Sequence, residues 1–187
     1  MGTSSSVLDK SLLDEYSALT YLTKSEIIRL YKFVCKGNNS NVNDICLTKE
    51  DVDKIFPQLK VNPFRDRIFK VFADNENSMS FENILDLCSV MSENCPEKVK
   101  AAWGFKIFDF DEDNEIGKDD LKNIIHLLTT QTNSSGHQGL SDSEMERIIK
   151  TLIEGMDLEE NDYIGQIEFT HALGKLTDFA SSFTFRF

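Results

Sequence analysis

FKIFDFDEDNEIGKDDL, residues 105–121, is the stretch that decides the fold of this chain of 187 residues. Within it, a loop of twelve residues carries carboxylates at alternate early positions and again at its end. These carboxylates, at loop positions 1, 3, 5 and 12, are Asp109, Asp111, Asp113 and Asp120. Position 7 offers the backbone carbonyl of Glu115, and helix-forming segments with apolar stripes lie on both sides. Because alternate oxygens can close around a hard cation, the stretch predicts a metal-binding loop between two helices.

A second loop, DLEENDYIGQIE at residues 157–168, repeats this pattern near the end of the chain. Its candidate ligands are the side chains of Asp157, Glu159, Asn161 and Glu168 and the backbone carbonyl of Tyr163. Two loops of this kind, each flanked by amphipathic helices, form the pattern of paired EF-hands. We expect the apolar residues at position 8, Ile116 and Ile164, to face each other across a short pair of strands.

Both loops depart from an ideal EF-hand loop, and they do so in different ways. Asp120 is one methylene shorter than the usual Glu at position 12, which should narrow the preference for Ca²⁺ over Mg²⁺. Glu159 is longer than the usual residue at position 3. Asn114 and Asp162 replace the Gly of position 6, and both residue types tolerate a left-handed backbone less easily than Gly. We expect both loops to bind metal, with weaker Ca²⁺ affinity than ideal loops. The sequence does not rank the two loops by affinity.

The N-terminal half contains two further helix–loop–helix units, so that four units repeat at intervals of about 40 residues. The first loop offers only Asp44 as a carboxylate before a helix that begins at Thr48 and runs past Phe56. The second loop, residues 73–83, has Ala73 at position 1 and Asn83 at position 12 but keeps an apolar residue at position 8. We expect both units to be structural and to hold no metal.

These patterns predict an all-α fold of four EF-hand helix–loop–helix units in two lobes, with short paired loop strands and extensions at both termini. The predicted parts are an N-terminal extension at 1–22, an N-lobe with two degenerate EF-hands at 23–95, a C-lobe with two metal-binding EF-hands at 96–176, and a Phe-rich tail at 177–187. Residues 129–140 are polar and contain two glycines, so we expect a flexible linker there.

The formal charge of −12 argues against nucleic-acid binding, which requires clustered Lys and Arg. A generally acidic protein would explain this charge but not the periodic placement of the acids. No apolar run reaches the roughly 18 residues of a membrane span. The four cysteines match no zinc-ligand spacing, which favours reduced thiols in the cytoplasm.

The first residues, MGTSSS, fit the pattern for N-myristoylation of Gly2. A disordered, Ser-rich start is the alternative, and the pattern does not decide between them. A single myristoyl chain binds membranes only marginally, and no polybasic run lies beside it. Stable residence at a membrane would therefore require a protein partner.

Catalysis is not expected. The three histidines, His126, His137 and His171, are each isolated in the sequence. The chain also has no nucleophile motif, no phosphate-binding Gly-rich loop and no zinc-ligand spacing.

Several of these segments together resemble the calcium- and integrin-binding proteins over nearly the whole chain. The matching segments are NPFRDRI at 62–68, FKIFDF at 105–110, the Asp at position 12, the Phe-rich ending at 178–187 and the Met1-Gly2 start. The departures are the long linker, Glu159 and Asp162 in the last loop, and Glu168 where several relatives carry Asp.

The resemblance implies a cytoplasmic adaptor, peripheral at the plasma membrane, that grips an amphipathic helix of a membrane protein in a hydrophobic groove. Family partners are integrin α cytoplasmic tails and, for one branch, transmembrane channel-like mechanotransduction channels. In the family the C-terminal extension can occupy this groove until a target displaces it. The tail residues suited to that role are Phe179, Phe183, Phe185 and Phe187. A tail packed permanently into the core is the alternative.

Two other functions fit an EF-hand chain. A calcineurin B-like or neuronal calcium-sensor protein would be a regulatory subunit of an enzyme, but such relatives usually keep an active N-terminal loop. A calcium buffer would favour better-formed loops. The hypothesis that we carry forward is an adaptor that binds a partner helix. At rest Mg²⁺ can occupy its C-terminal lobe, and Ca²⁺ then adjusts the affinity for the helix.

Overall fold

The computed structural model describes residues 8–35, 42–75, 78–132, 140–176, 178–179 and 183–184. Within these ranges the chain forms ten α-helices and no sheet, which confirms the predicted all-α EF-hand fold. The helices are α1 (Lys10–Leu19), α2 (Lys24–Cys35), α3 (Lys49–Ile55), α4 (Pro57–Lys60), α5 (Arg65–Phe72), α6 (Phe81–Val90), α7 (Glu97–Phe108), α8 (Lys118–Thr132), α9 (Asp142–Met156) and α10 (Gln166–Leu173). None of these helices is both long enough and apolar enough to cross a bilayer.

The chain divides into two compact units. The first takes the described residues of 8–62, 69–95 and 183–184, and the second takes those of 63–68 and 96–182. Residues 63–68, which the sequence analysis assigns to the N-lobe, therefore group with the second unit. The side chain of Arg67 explains this grouping, since it is buried against the end of α7.

In the first unit the two degenerate hands are joined by a short antiparallel bridge. Leu47 and Met79 exchange two backbone hydrogen bonds, each of 2.9 Å. Helix α1 contributes to the same core, because the ring of Tyr16 packs edge-on against Phe81 with centroids 5.8 Å apart. The Tyr16 hydroxyl also donates to the carboxylate of Glu82. These contacts hold the helix of the N-terminal extension on the hands.

The second unit contains the two predicted metal-binding hands, α7–loop–α8 and α9–loop–α10. Its core is built from apolar residues of all four helices and both loops: Phe105, Ile116, Leu121, Ile125, Ile149, Ile153, Ile164 and Phe169. Phe169 lies at its centre, edge-on to Phe105 at 5.7 Å and to Phe108 at 5.8 Å. This core fixes the ends of the helices between which the loops run.

The first residues of the predicted linker are helical. Helix α8 continues to Thr132, so residues 129–132 are helical rather than part of a linker. The hydroxyl of Thr129 donates to the carbonyl of Ile125 at 2.8 Å, and that of Thr130 donates to the carbonyl of His126 at 2.7 Å. Because carbonyls one turn back accept from their hydroxyls, these threonines are accommodated within the helix.

Candidate metal centre

Each predicted metal loop starts at the residue that directly follows a helix. Asp109 is the C-cap of α7 and Asp157 is the C-cap of α9, so loop position 1 is fixed by the helix before it. Between the loops, Ile116 and Ile164 exchange backbone hydrogen bonds of 3.0 and 3.1 Å. This bridge confirms the predicted pairing of the residues at position 8.

The carboxylate at position 1 accepts hydrogen bonds from backbone N–H groups of its own loop. The two carboxylate oxygens of Asp109 accept hydrogen bonds from the N–H groups of Glu112 at 2.8 Å and Asn114 at 3.0 Å. Asp157 accepts from Asn161 at 3.2 Å and from Asp162 at 2.8 Å in the same way. Each loop is therefore curled around its first carboxylate.

The acid at position 12 closes each loop across its mouth. Asp120 accepts from the N–H of Phe110 at 2.8 Å and from that of Gly117 at 3.0 Å, loop positions 2 and 9. Glu168 accepts from Leu158 and Gly165 at the corresponding positions. The shorter side chain of Asp120 therefore spans the same two positions as the longer Glu168.

In the first loop three carboxylates converge. Asp109, Asp111 and Asp120 each place an oxygen within 4.8 Å of the others, with Asp109 and Asp120 buried and Asp111 exposed. Partial desolvation, and then the negative charge of Asp120, raises the pKa of Asp111 above its ordinary value. Like charges at this separation are unfavourable unless a proton or a cation compensates them.

This donor set fits a hard divalent cation. Carboxylate and carbonyl oxygens are the ligands that Ca²⁺ and Mg²⁺ prefer. Asp109, Asp111 and Asp120 would hold the ion, with the predicted ligands Asp113 and the Glu115 carbonyl completing the loop. Asp113 lies outside the gathered group of three and accepts a hydrogen bond of 2.8 Å from the N–H of Glu115. The bound cation would supply positive charge that ties the two ends of the loop together.

The second loop is less completely gathered. The part of the chain that the structure describes contains no comparable group of three acids around Asp157 and Glu168. The side chain of Glu159 is exposed. The amide nitrogen of Asn161 fits best as a donor to Asp157, at 3.3 Å, so its oxygen would have to turn toward an ion to become a ligand. The negative charge of Glu115 raises the pKa of the Tyr163 hydroxyl above its ordinary value.

The second degenerate hand keeps the closing interaction, and both degenerate hands keep the cap of the exit helix. Asn83, at position 12 of the second hand, accepts from the N–H groups of Ser80 at 2.9 Å and Asp74 at 3.4 Å. Asp51 lies four residues after Leu47, which pairs with the position-8 residue Met79, so Asp51 is position 12 of the first hand. It accepts from the N–H of Thr48 at 3.3 Å. In the described residues of both hands, position 12 therefore caps the exit helix.

Two features of the metal loops were not predicted from the sequence. Glu112 and Glu160, at position 4, have left-handed backbones with φ of 65° and 57°, in addition to the expected Asn114 and Asp162 at 69° each. Arg67 of α5 is buried, and its guanidinium lies against the start of the first loop. The sequence offered one signal for Arg67, its place in the NPFRDRI segment, but that signal did not indicate the contact.

A cavity of about 770 Å³ lies between α7 and α10 in the second unit. Its apolar lining comes mainly from Ala101, Ala102, Ile167, Leu173 and Phe179. Of the tail residues, Phe179 thus lines this cavity and is half-buried, and Phe183 is also half-buried. The other predicted tail residues, Phe185 and Phe187, and the predicted lipidation site Gly2 lie outside the described residues.

No protein-family model matches the chain. The chain is 35% identical over 187 aligned residues to calcium and integrin-binding family member 2 of Drosophila melanogaster, and the match covers 93% of each chain. It is 30% identical to the human protein of the same name and 31% identical to human calcium and integrin-binding family member 3, and these matches cover 100% of both chains. The similarity therefore includes both metal loops and both compact units.

Proposed function

The chain belongs to the calcium and integrin-binding family, and on this premise we propose that it is a Ca²⁺- and Mg²⁺-binding adaptor for a helix of a membrane protein. Membership of this family places the chain among binding proteins rather than enzymes. The observation that carries the proposal is the convergence of Asp109, Asp111 and Asp120 within 4.8 Å in a loop with the EF-hand ligand spacing.

The first loop is the stronger candidate for permanent metal binding. Its three gathered carboxylates need little rearrangement to surround a cation, whereas the second loop must recruit the Asn161 oxygen or Glu159. The short acid at position 12 suits the six ligands and shorter distances of Mg²⁺. We therefore assign Mg²⁺ to the first loop at rest, with Ca²⁺ replacing it and filling the second loop when its concentration rises.

The cavity between α7 and α10 is the proposed place for the partner helix. Grooves that accept amphipathic helices are apolar and contact side chains at helical spacing. Ile167 at the edge of this cavity is 86% exposed, which is unusual for a residue of its kind and fits a surface that a partner covers. The relatives are named for integrin binding, so an integrin α cytoplasmic tail is the first partner to test, and a transmembrane channel-like channel is the second.

The tail and the N-terminus complete the proposal. Phe179 lines the cavity, and this position supports a tail that competes with the partner. We further propose a cytoplasmic location at the plasma membrane, with a myristoyl group on Gly2 adding to the hold that the partner provides. A myristoyl chain alone would give only marginal and reversible binding.

Isothermal titration calorimetry on the full chain tests the proposal. The wild-type protein should bind Ca²⁺ and Mg²⁺ and, when loaded, a synthetic integrin α-tail peptide. Asp109→Ala combined with Asp157→Ala should abolish Ca²⁺ binding and weaken peptide binding. Ser143→Ala combined with Thr151→Ala, exposed changes on α9, is the matched control and should behave as wild type. If the variant with both Asp109→Ala and Asp157→Ala bound Ca²⁺ as the wild type does, the proposal would be refuted.

A further inference from the structure

Arg67 is a buried cation that the metal-binding scheme leaves unexplained. Only 7% of the residue is exposed, and it lies on α5, the helix that enters a degenerate hand. Its side chain instead reaches the hand that follows. The oxygen atoms that accept from its guanidinium are the carbonyls of Lys106 (2.7 Å), Ile107 (3.3 Å), Asp109 (2.6 Å) and Phe110 (3.5 Å) and the carboxylate of Glu112 (3.1 Å).

These acceptors are the end of α7 and the first residues of the metal loop. The last carbonyls of a helix have no partner within the helix, and they carry the negative end of its dipole. The guanidinium of Arg67 donates hydrogen bonds to these carbonyls, and its positive charge compensates the negative end of the dipole. Its guanidinium also lies 5.2 Å from the ring centroid of Phe110, loop position 2.

The contacts fix the backbone that presents the first ligand. Arg67 holds Asp109 by its main-chain carbonyl, while the Asp109 carboxylate accepts from the N–H groups of Glu112 and Asn114. The N–H groups of the loop therefore orient the Asp109 carboxylate, whereas Arg67 bonds the Asp109 carbonyl and not the carboxylate. Arg67 also holds the side chain of Glu112, whose left-handed backbone, with φ of 65°, needs support from its surroundings.

From this geometry we propose that Arg67 is a positioning residue that pre-organises the 109–120 loop for its cation. The inference rests on the proposed function, because it deepens the account of that metal site. A planar guanidinium can bond several carbonyls in fixed directions, whereas the ammonium of Lys is a single flexible point charge. Arg67→Lys therefore keeps the charge and removes the fixed geometry.

Calorimetry with Ca²⁺ on the full chain gives the first test. In an Asp157→Ala background, which leaves the first loop to bind, Arg67→Lys should weaken Ca²⁺ binding about tenfold, as loss of an outer-shell partner typically does. In an Asp109→Ala background, which leaves the second loop, the same change should have no effect. Arg65→Lys is the matched control, since Arg65 pairs with its neighbour Asp66 on the same helix and should tolerate the change.

The neutral variant Arg67→Gln separates geometry from charge. A positive charge near a cation site repels the cation, so tighter Ca²⁺ binding by Arg67→Gln would mean that repulsion dominates, and it would overturn the proposal. Weaker binding by both Arg67→Gln and Arg67→Lys supports it. Equal loss of binding at the two loops would indicate a general structural role and would also overturn it.

Hydrogen exchange of the metal-free protein provides a readout that does not depend on metal binding. Arg67→Lys should speed exchange at the amides of Glu112 and Asn114 and leave those of Asn161 and Asp162 unchanged. Unchanged exchange at Glu112 and Asn114 would contradict the inference. If wild-type protein failed to bind Ca²⁺, the proposed function would fall, but this comparison would still decide whether Arg67 orders the loop.

Discussion

The residue at loop position 12 can have a structural role, in which it caps the exit helix and closes the loop, and a separate role as a metal ligand. Asp120 illustrates the structural role. Its carboxylate caps α8 through the N–H of Gly117 and closes the loop through the N–H of Phe110. Asn83 makes the same two kinds of contact in a hand that lacks an acid at position 1. Capping needs only an acceptor of the right length, whereas metal binding needs the other carboxylates as well. In the degenerate hands, the residue at position 12 therefore has a structural role.

Asp120→Glu tests whether the length of this acid sets the choice of metal. A longer acid can offer both oxygens to Ca²⁺, which takes six to eight ligands, while Mg²⁺ gains little because it demands six at short distance. We expect about tenfold tighter Ca²⁺ binding at the first loop, or about 1.4 kcal/mol, with a smaller change for Mg²⁺. The measurement is calorimetry in the Asp157→Ala background.

The reverse change in the other loop is the control for this prediction. Glu168→Asp, measured in the Asp109→Ala background, should lower the ratio of Ca²⁺ to Mg²⁺ affinity. An equal gain for both ions in Asp120→Glu would show that the length of the acid does not select the metal.

At the level of single residues, the sequence predicted what has a local signature. Ligand spacing predicted two loops between helices, and the structure contains both. Asn114 and Asp162, whose residue types tolerate a left-handed backbone, adopt one. Glu112 and Glu160 have no such signature, since Glu is rarely left-handed and the loop closure imposes the conformation. Arg67 was missed because its acceptors lie about forty residues away, at a separation that no periodic pattern reports.

The helices were predicted well where apolar spacing was strong and less well at their ends. The helix expected to run from Thr48 past Phe56 is two helices, because Pro57 cannot donate the backbone N–H that would continue α3. The end of α8 was misplaced because polar threonines look like a linker in sequence. The bridge between Ile116 and Ile164 was predicted correctly, since the apolar residue at position 8 recurs in both loops.

Ile164→Ala keeps the backbone bonds of this bridge and tests the importance of the buried side chain at the bridge for the second unit. Ile164 and Ile116 are each 1% exposed, so the truncation leaves a cavity in the core and should cost about 3 kcal/mol of unfolding free energy. Because the residue links both loops, Ca²⁺ binding should weaken at both of them. Urea unfolding and calorimetry measure the two effects.

Ile167→Ala is the matched control on the same segment. Ile167 is 86% exposed, so its truncation should change stability by less than about 0.5 kcal/mol and leave Ca²⁺ binding unaltered. Loss of Ca²⁺ affinity at only one loop in Ile164→Ala would argue against side-chain packing at the bridge that couples the two loops.

The whole molecule places all its candidate ligands in one of its two units. Each unit has its own bridge, Leu47–Met79 in the first and Ile116–Ile164 in the second, and the residues of the two metal loops all belong to the second. The net charge of −12 should favour cation binding throughout, but only the second unit gathers three carboxylates in its described residues. Ligand binding stabilises the structure that holds the ligand, in proportion to the logarithm of ligand concentration over Kd.

We therefore predict that Ca²⁺ protects the two bridges unequally against hydrogen exchange. At a free concentration of 100 times Kd, one bound ion should slow the amides of Ile116 and Ile164 about 100-fold, equivalent to about 2.7 kcal/mol, if their opening requires release of the ion. The amides of Leu47 and Met79, which make bonds of 2.9 Å in the first unit, should change little and serve as the internal reference. Asp109→Ala combined with Asp157→Ala should remove the difference. Equal slowing at both bridges would show that the ion stabilises the two units together, and the assignment of the metal effect to the second unit would then be wrong.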